Sequence, residues 1–299
     1  MTRIVIIGAA GFIGSATVED FRKYSQGYGE GVLAIDLPTS TLKPDKSINI
    51  AYCDIVGDAI RKYIRAGDKV LHLAALATFK QCEDDPLQAL AVNVGGTLKI
   101  IDACNDAGAE RLVFSSTGSV LSPKAEVPFK EDAPVHPPNF YGWTKAKAEE
   151  LIRRRCRVPW VILRYGYVYG ATKLHGAIGA FFKLLREGKT PSIFGGKQTN
   201  DFTFIDDIVQ ANRKALWTEH TNQLYHIGSG RANSILDVYD AVADALGSKV
   251  KPKIEPARIG DYPVFLYDIE KARKLLGYEP AWTLKEGVKR MMKILEQSE

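Results

Sequence analysis

The sequence predicts an α/β protein in which a doubly wound parallel sheet carries a smaller, mostly C-terminal α/β lobe. Three observations predict it. Short β-rich runs recur through the first half of the 299-residue chain: "RIVIIG", "GVLAID", "KVLHLA", "RLVFSS" and "WVILRY". Segments with helical spacing separate them, and strands alternating with helices form βαβ units whose parallel sheet is buried on both faces. After Arg164 the alternation gives way to glycine-rich, irregular stretches such as "GYVYGATKLHGAIG" and "FGGKQTNDFTF". The expected division is a sheet domain over 1–164, rejoined by about 203–228, and a second lobe from 165–202 and 229–299, with a cleft between them.

The first β run enters Gly8-Ala9-Ala10-Gly11-Phe12-Ile13-Gly14 and then a helical pattern. Glycines at this spacing let the chain turn tightly and let backbone approach a pyrophosphate, while the helix N-terminus supplies donors and a positive dipole end. This is a Rossmann-type dinucleotide turn. The second run ends in Asp36, where a carboxylate accepts both ribose hydroxyls of an adenosine and repels a 2′-phosphate, which favours NAD over NADP. A further short run, "NIAYCDI", ends at Asp54, a second candidate near the adenine. In "LQALAVNVGGTLKIIDACNDAG" the residues Leu87, Leu90, Ala91, Val94, Leu98 and Ile101 follow a three-and-four spacing and predict an amphipathic helix with that stripe inward. Helical patterns return at "DDIVQANRKALW", "SILDVYDAVADALG", "IEKARKLLG" and "LKEGVKRMMKILEQ".

Composition excludes several classes. Lys plus Arg number 40 against 35 for Asp plus Glu, a balance too mild to argue for nucleic acid. The dense run Arg153–Arg157 reads as a solvated helix end. Cys53, Cys82, Cys104 and Cys156 form no C-x-x-C, and the five histidines form no H-x-x-x-H, so neither a metal site nor a disulfide framework is expected. The N-terminal apolar run is too short for a secretory core, and no stretch approaches the ~18 apolar residues of a membrane span. A reduced, cytoplasmic setting is the expectation. "EGKT" at 187–190 ends like a P-loop but has Lys183 where that motif needs glycine.

The candidate chemistry lies at strand ends. "RLVFSSTGSV" finishes in Ser115, Ser116 and Thr117, whose hydroxyls fall where ligands of open α/β sheets bind. In "NFYGWTKAKAEEL" Tyr141 and Lys145 share one helix face at i and i+4. A free phenol titrates near pH ~10, so Tyr141 becomes a useful base only with a cation beside it. Lys145 is spaced to supply one, and Thr117 to hold a substrate oxygen. The same Y-x-x-x-K spacing recurs at Tyr267–Lys271 in "YDIEK".

Taken in order, these motifs resemble the extended short-chain dehydrogenase/reductases, the NAD-dependent epimerase/dehydratase group. "GAAGFIG", "HLAA", "NVGGT", "FSSTGSV", "YGWTK", "LRYGYVYG", "DFTFIDDIV", "YHIGSG", "RIGD" and "DIEKARKLLGYEPAWTLKEGV" carry the resemblance over nearly the whole chain. It implies a catalytic set of Thr117, Tyr141 and Lys145. It implies NAD contacts at Gly8, Gly11, Phe12, Ile13, Gly14, Asp36, Asp54, Ile55, Leu73, Ala74, Ala75, Asn93, Ser115, Tyr141, Lys145 and Tyr165. Substrate contacts are implied at Thr117, Asn200 and Arg258, the last on a nucleotide-sugar diphosphate. "YDIEK" falls in a late motif unconnected with catalysis. As in many relatives, the helices near 87–107 and 141–156 are expected to pair in a homodimer.

Within this group, dehydratases and decarboxylases usually place an acid soon after the catalytic hydroxyl, whereas here Gly118 and Ser119 follow Thr117. Hydride removal and return remain, and the expected activity is UDP-glucose/UDP-galactose 4-epimerisation through a 4-keto sugar. Two departures point to the alternative, an NAD-dependent dehydrogenase or ketoreductase of a smaller sugar, polyol or hydroxy compound. Tyr167 stands where nucleotide-sugar enzymes often have Asn, and Asn200 where they often have Arg. Lys173, Lys183 and Lys197 are then candidates to hold a diphosphate. A non-catalytic NAD sensor is the third reading, against which both Tyr141 and Lys145 are present.

Overall fold

Each strand of the first half alternates side chains between two apolar layers, and this alternation builds the molecule. The structure, a computed structural model, describes residues 2–23, 31–40, 42–44, 46, 48–172, 174, 176–257 and 264–297. The strands are β1 (Ile4–Ile7), β2 (Val32–Asp36), β3 (Ile48–Tyr52), β4 (Lys69–His72), β5 (Arg111–Thr117), β6 (Trp160–Tyr165) and, much later in the chain, β11 (Gln223–Ile227). They form one seven-stranded sheet in the order β11-β6-β5-β4-β1-β2-β3. Every pairing in it is parallel, with Ile7 beside both Ile35 and His72, and Thr117 beside Tyr165.

Ile4, Ile6, Leu71, Val113, Val161 and Leu163 point to one face, where Val18 and Phe21 of α1 (Phe12–Lys23) and Ile208, Ala211 and Leu216 of α7 (Ile205–Trp217) cover them. Val5, Ile7, Val70, Leu112, Phe114 and Ile162 point to the other, under Ile100, Ile101 and Cys104 of α4 (Thr97–Ala107) and Ala148 and Ile152 of α5 (Phe140–Arg155). Period-two alternation between two buried faces is what makes these strands read as continuous apolar runs.

The first face continues into the second lobe. There α6 (Gly176–Arg186), α8 (Ile235–Leu246) and α9 (Leu284–Glu296) pack together with three two-stranded pairs. These are β7 (Tyr167–Tyr169) with β10 (Phe202–Phe204), β8 (Ser192–Phe194) with β13 (Lys253–Glu255), and β9 (Thr199–Asn200) with β12 (Asn233–Ser234). Reciprocal capping boxes start α8 at Ser234/Asp237 and α9 at Thr283/Glu286.

The helix expected over 87–107 differs in two ways. A π-helical segment, Leu90–Gly96, separates α3 (Pro86–Ala89) from α4. The predicted apolar stripe also does not supply the buried face along most of its length. Ala89, Asn93, Gly96, Thr97 and Ile100 are buried, while Leu87 is 79% exposed and Leu90, Ala91, Val94 and Leu98 are half-buried; of the stripe, only Ile101 is in the core. The wider π turn and the small buried residues rotate the apolar stripe toward the outer surface. The arginine run is not simply solvated: Arg153 pairs with Glu149, Arg154 with Glu150, Arg155 with Asp102 and Arg157 with Asp106.

The Gly8–Gly14 turn is set by close approach. Gly8 has φ +87, and a Cβ at Gly14 would lie 2.0 Å from the Gly8 carbonyl oxygen. Gly14→Ala must push α1 off β1, so it should cost about 1–3 kcal/mol of stability, read as a lowered melting temperature and a loss of bound dinucleotide.

Candidate active site and cofactor cleft

A sheet covered on both faces leaves its strand ends as the open side: ion pairs such as Arg3–Asp68 and Lys69–Glu110 close the amino ends, and Asp36, Ser116 and Thr117 stand at the carboxyl ends. At the end of β2, Asp36 reaches across to the glycine turn: Oδ2 accepts from the Ala10 N–H at 2.6 Å and Oδ1 from the Leu37 N–H at 2.8 Å. The carboxylate therefore fixes the mouth of α1 and stands at it. A Cβ at Gly8 would lie 2.5 Å from the Ala74 nitrogen, which brings the turn against the Leu73-Ala74-Ala75 segment after β4. Asp54 is exposed just past β3 and accepts from the Val56 N–H, and Ile55 is buried against Gly96. This cradle of glycine backbone, helix N-terminus and carboxylate fits the adenosine and pyrophosphate of a dinucleotide.

Three residues expected to contact the cofactor have side chains engaged elsewhere. The Asn93 amide accepts from the Leu76 N–H at 2.8 Å and donates to the Leu76 carbonyl and to Thr144 Oγ1. It thus pins the loop after β4 to α5. Ser115 Oγ donates to the His72 carbonyl at 3.0 Å. Tyr165 Oη donates to Asn212 on α7, and Asn212 donates to Thr17 on α1. They hold the walls of the cleft together rather than presenting side chains to it.

Tyr141 and Lys145 lie in the first turns of α5, capped by Asn139, whose Oδ1 accepts from the Gly142 N–H at 2.8 Å. The Thr117 hydroxyl, at the end of β5, accepts from the Ser119 N–H at 3.2 Å and stands near the Tyr141 phenol. Burial pushes that phenol well above its ordinary value, a charge on Cys82 adds to this, and the Thr117 hydroxyl opposes it. Burial also pushes the Lys145 ammonium down to about 7, against the raising influence of Glu149 and Cys82. Its Nζ sits 4.1 Å over the Phe114 ring. The phenol, the hydroxyl and the buried lysine thus meet where β5 and α5 converge. Phe79 of α2 (Phe79–Asp84) flanks Tyr141 at 5.9 Å between ring centroids.

The floor beyond Thr117 is aromatic. A Cβ at Gly118 would lie 2.2 Å from Phe265 Cζ and 2.6 Å from Tyr267 Oη. Position 118 therefore has no room for a side chain. Ser119, next in line, donates its N–H to Thr117 Oγ1. Tyr167, 46% exposed, meets Phe265 edge-on at 5.6 Å. Tyr267 and Lys271 do not form a pair: Tyr267 is buried, stacks on His226 at 4.1 Å and donates to the Tyr165 carbonyl, while Lys271 donates to the Leu224 carbonyl. The motif set aside as unconnected with catalysis nonetheless supplies part of the site's floor.

Asn200 lies half-buried in β9, opposite Asn233. Beside it, fully buried Asp201 accepts from the backbone of Ser229, Gly230 and Tyr267 and from Ser229 Oγ, gathering the second-lobe loops at the cleft. Lys183 and Lys197 are exposed. Arg258 and Lys173 lie outside the described residues.

Sequence reasoning missed Cys82, Glu149 and Arg164. Glu149 alone carried a signal, standing four residues after Lys145 on the same helix face.

Asp36→Asn keeps an oxygen to accept from Ala10 and removes the charge. Competition binding of the two dinucleotides should show discrimination against NADP falling by about tenfold, or 1.4 kcal/mol. An unchanged preference would remove Asp36 from the ribose site.

Residues 4–228 match the NAD dependent epimerase/dehydratase family. The UDP-glucose 4-epimerase of Mycolicibacterium smegmatis is 32% identical over 305 residues, covering 96% of each chain. Among solved structures, the UDP-glucose 4-epimerase of Thermotoga maritima with UDP-glucose superposes at TM-score 0.87 and 27% identity, over 99% of both chains. The UDP-glucuronic acid 4-epimerase of Bacillus cereus, with UDP-glucuronic acid and NAD, superposes at TM-score 0.86 and 28% identity, over 99% of this chain and 100% of that one. With the family matched over residues 4–228 and a relative 32% identical over 96% of each chain, the chain belongs to the NAD dependent epimerase/dehydratase family.

Proposed function

We propose that this chain is an NAD-dependent UDP-sugar 4-epimerase, acting on the glucose/galactose pair through a 4-keto intermediate. The observation that carries the reading is the closed position 118. Tyr141, Thr117 and Lys145 lie where β5 and α5 converge, and the two positions after Thr117 are Gly118, closed by Phe265 and Tyr267, and Ser119, whose Oγ accepts from Thr117 Oγ1 at 3.4 Å, so neither supplies the acid that elimination or decarboxylation would use. Proton removal and return are what the remaining groups can do.

When bound, NAD supplies the two-electron acceptor and donor for C4 of the hexose and a positive charge near the phenol. Thr117 holds the C4 oxygen. Tyr141 takes the C4 hydroxyl proton and later gives it back, while Lys145 places positive charge beside the phenolate. A single base would serve both directions, because the phenol that takes the O4 proton can return it once the sugar has turned. Asp36 and the glycine turn orient the dinucleotide, with Asn93 fixing the loop between turn and helix. Arg258 and Asn200 are the proposed diphosphate and sugar contacts.

The protein should convert UDP-galactose to UDP-glucose without added NAD, and Tyr141→Phe should lower kcat by about 10²–10⁴ with the dinucleotide still bound. No turnover, with steady NADH formation from a smaller alcohol, would replace the epimerase reading by a dehydrogenase.

The outward stripe Leu87, Leu90, Ala91, Val94 and Leu98, beside Trp143 (39% exposed) on α5, supports a homodimer built on these helices. Leu87→Glu with Leu98→Glu should yield monomers in light scattering of the chromatographed protein. No helix among the described residues is long and apolar enough to cross a membrane.

A further inference from the structure

The catalytic phenol is flanked by an aromatic ring that the mechanism above does not use. Phe79 opens α2, and its ring meets that of Tyr141 at 5.9 Å between centroids, tilted by 50°. It is a large apolar side chain and is nonetheless 51% exposed. An apolar ring left open beside a reactive group is the kind of surface that ligand pockets are built from.

The helix beneath it fixes its place. Phe79, Cys82 and Glu83 stand at i, i+3 and i+4, so they share one face of α2. That face is laid on the start of α5. Glu83 Oε1 accepts from the Phe140 N–H at 3.0 Å, a carboxylate set at the positive end of the helix that carries Tyr141. Cys82 is buried, and its Sγ donates to the Leu76 carbonyl. Thr78 caps α2 by accepting from the Gln81 N–H at 3.2 Å. A six-residue helix does not hold itself together in water. These contacts clasp it to α5 and present the Phe79 ring already in position.

Depth separates cofactor from substrate. Lys145 is 2% exposed, Tyr141 is half-buried and Phe79 is the most open of the three, so the series runs from the sheet to solvent. The dinucleotide cradle lies at the inner end, along the glycine turn and the Leu73–Ala75 segment. The outer side of the phenol is left to the sugar. A base for the C4 hydroxyl must stand within hydrogen-bond reach of O4. A wall beside that base faces the atoms next to C4, which are C3 with its hydroxyl and C5 with its substituent. Turning the ketone over exchanges these two sides, so the C5 substituent meets the ring in one of the two orientations. A hydroxymethyl group can rest on a phenyl ring. A carboxylate there would give up water for it, and would approach the Glu83 carboxylate one helical turn on. Lys80, the cation of α2, is already paired with Asp84 at 2.6 Å.

We propose that Phe79 is a specificity-determining residue: its ring, clasped against Tyr141, forms the wall beside C4 and selects a neutral hexose over a hexuronic acid. The inference rests on the 4-epimerase reading. It matters within this family, whose members include enzymes for each kind of sugar.

Equilibrium dialysis of the protein with NAD, against UDP, UDP-glucose and UDP-glucuronate, reads the selection without turnover. The wild type should bind UDP-glucose about tenfold or more tighter than UDP-glucuronate. Phe79→Ala should shrink that ratio by about tenfold while the affinity for UDP itself changes less than about twofold. Phe79→Lys, at a position open to solvent, puts a cation on the wall and should bind UDP-glucuronate more tightly than the wild type does. A folded variant of either kind with the wild-type ratio overturns the proposal. So does an equal loss for UDP and both sugars, or a loss confined to NAD, which would place the ring on the nucleotide or the cofactor. A wild type that binds these sugars with the stated ratio but does not interconvert UDP-glucose and UDP-galactose overturns the epimerase reading alone.

Discussion

Burial of both faces of the seven-stranded sheet is the constraint on which everything else depends. Strands such as β1, β4 and β5 are apolar on both sides, so they can expose polar side chains only where they end. The carboxyl ends alone carry Asp36 and the hydroxyls of β5, and the loops after β1 and β4 close against each other through Gly8 and Ala74. The cleft is therefore a product of the sheet's order. Strands β1 and β4 are neighbours although the chain runs β1 to β2 first, and it is at such a reversal that open α/β sheets bind their ligands.

Placing a tyrosine and a lysine in that crevice brings an energetic conflict. The packing that half-buries Tyr141 and buries Lys145 also makes phenolate and ammonium costly. The protein opposes the cost locally: the Thr117 hydroxyl stands near the phenol, the Phe114 ring faces the ammonium, and Glu149 stands a turn away under Arg164. Each of these groups comes from β5, β6 or α5, the elements packed most closely around the site. Positioning and electrostatics are supplied by the same few side chains.

How much of this was legible in the sequence depends on range. The strands, the glycine turn, Asp36 and the Tyr141–Lys145 spacing are local patterns, and the structure places the turn after β1, Asp36 at the end of β2 and the Tyr141–Lys145 pair at the start of α5. The stripe from Leu87 to Leu98 misled because periodicity gives a face but not its direction. A helix whose buried side is Ala89, Asn93, Gly96 and Thr97 looks inside-out until its π turn is seen. Asn93, Ser115 and Tyr165 were placed at the cleft, but what their side chains touch depended on partners that spacing cannot show: Leu76, Thr144, His72 and Asn212. Tyr267 was set aside with its lysine as a repeat of the Y-x-x-x-K pattern. The two residues in fact separate, and the phenol comes to rest against Gly118.

That last contact joins the two lobes in one chemical decision. Phe265 and Tyr267, from the far end of the chain, occupy the space into which a side chain at position 118 would project. They are held there from both sides. The Phe265 N–H donates to the Thr199 carbonyl, and the Tyr267 N–H to the buried carboxylate of Asp201. Gly118 and its two aromatic neighbours thus form one packing unit, in which a larger residue at 118 would require smaller ones at 265 and 267.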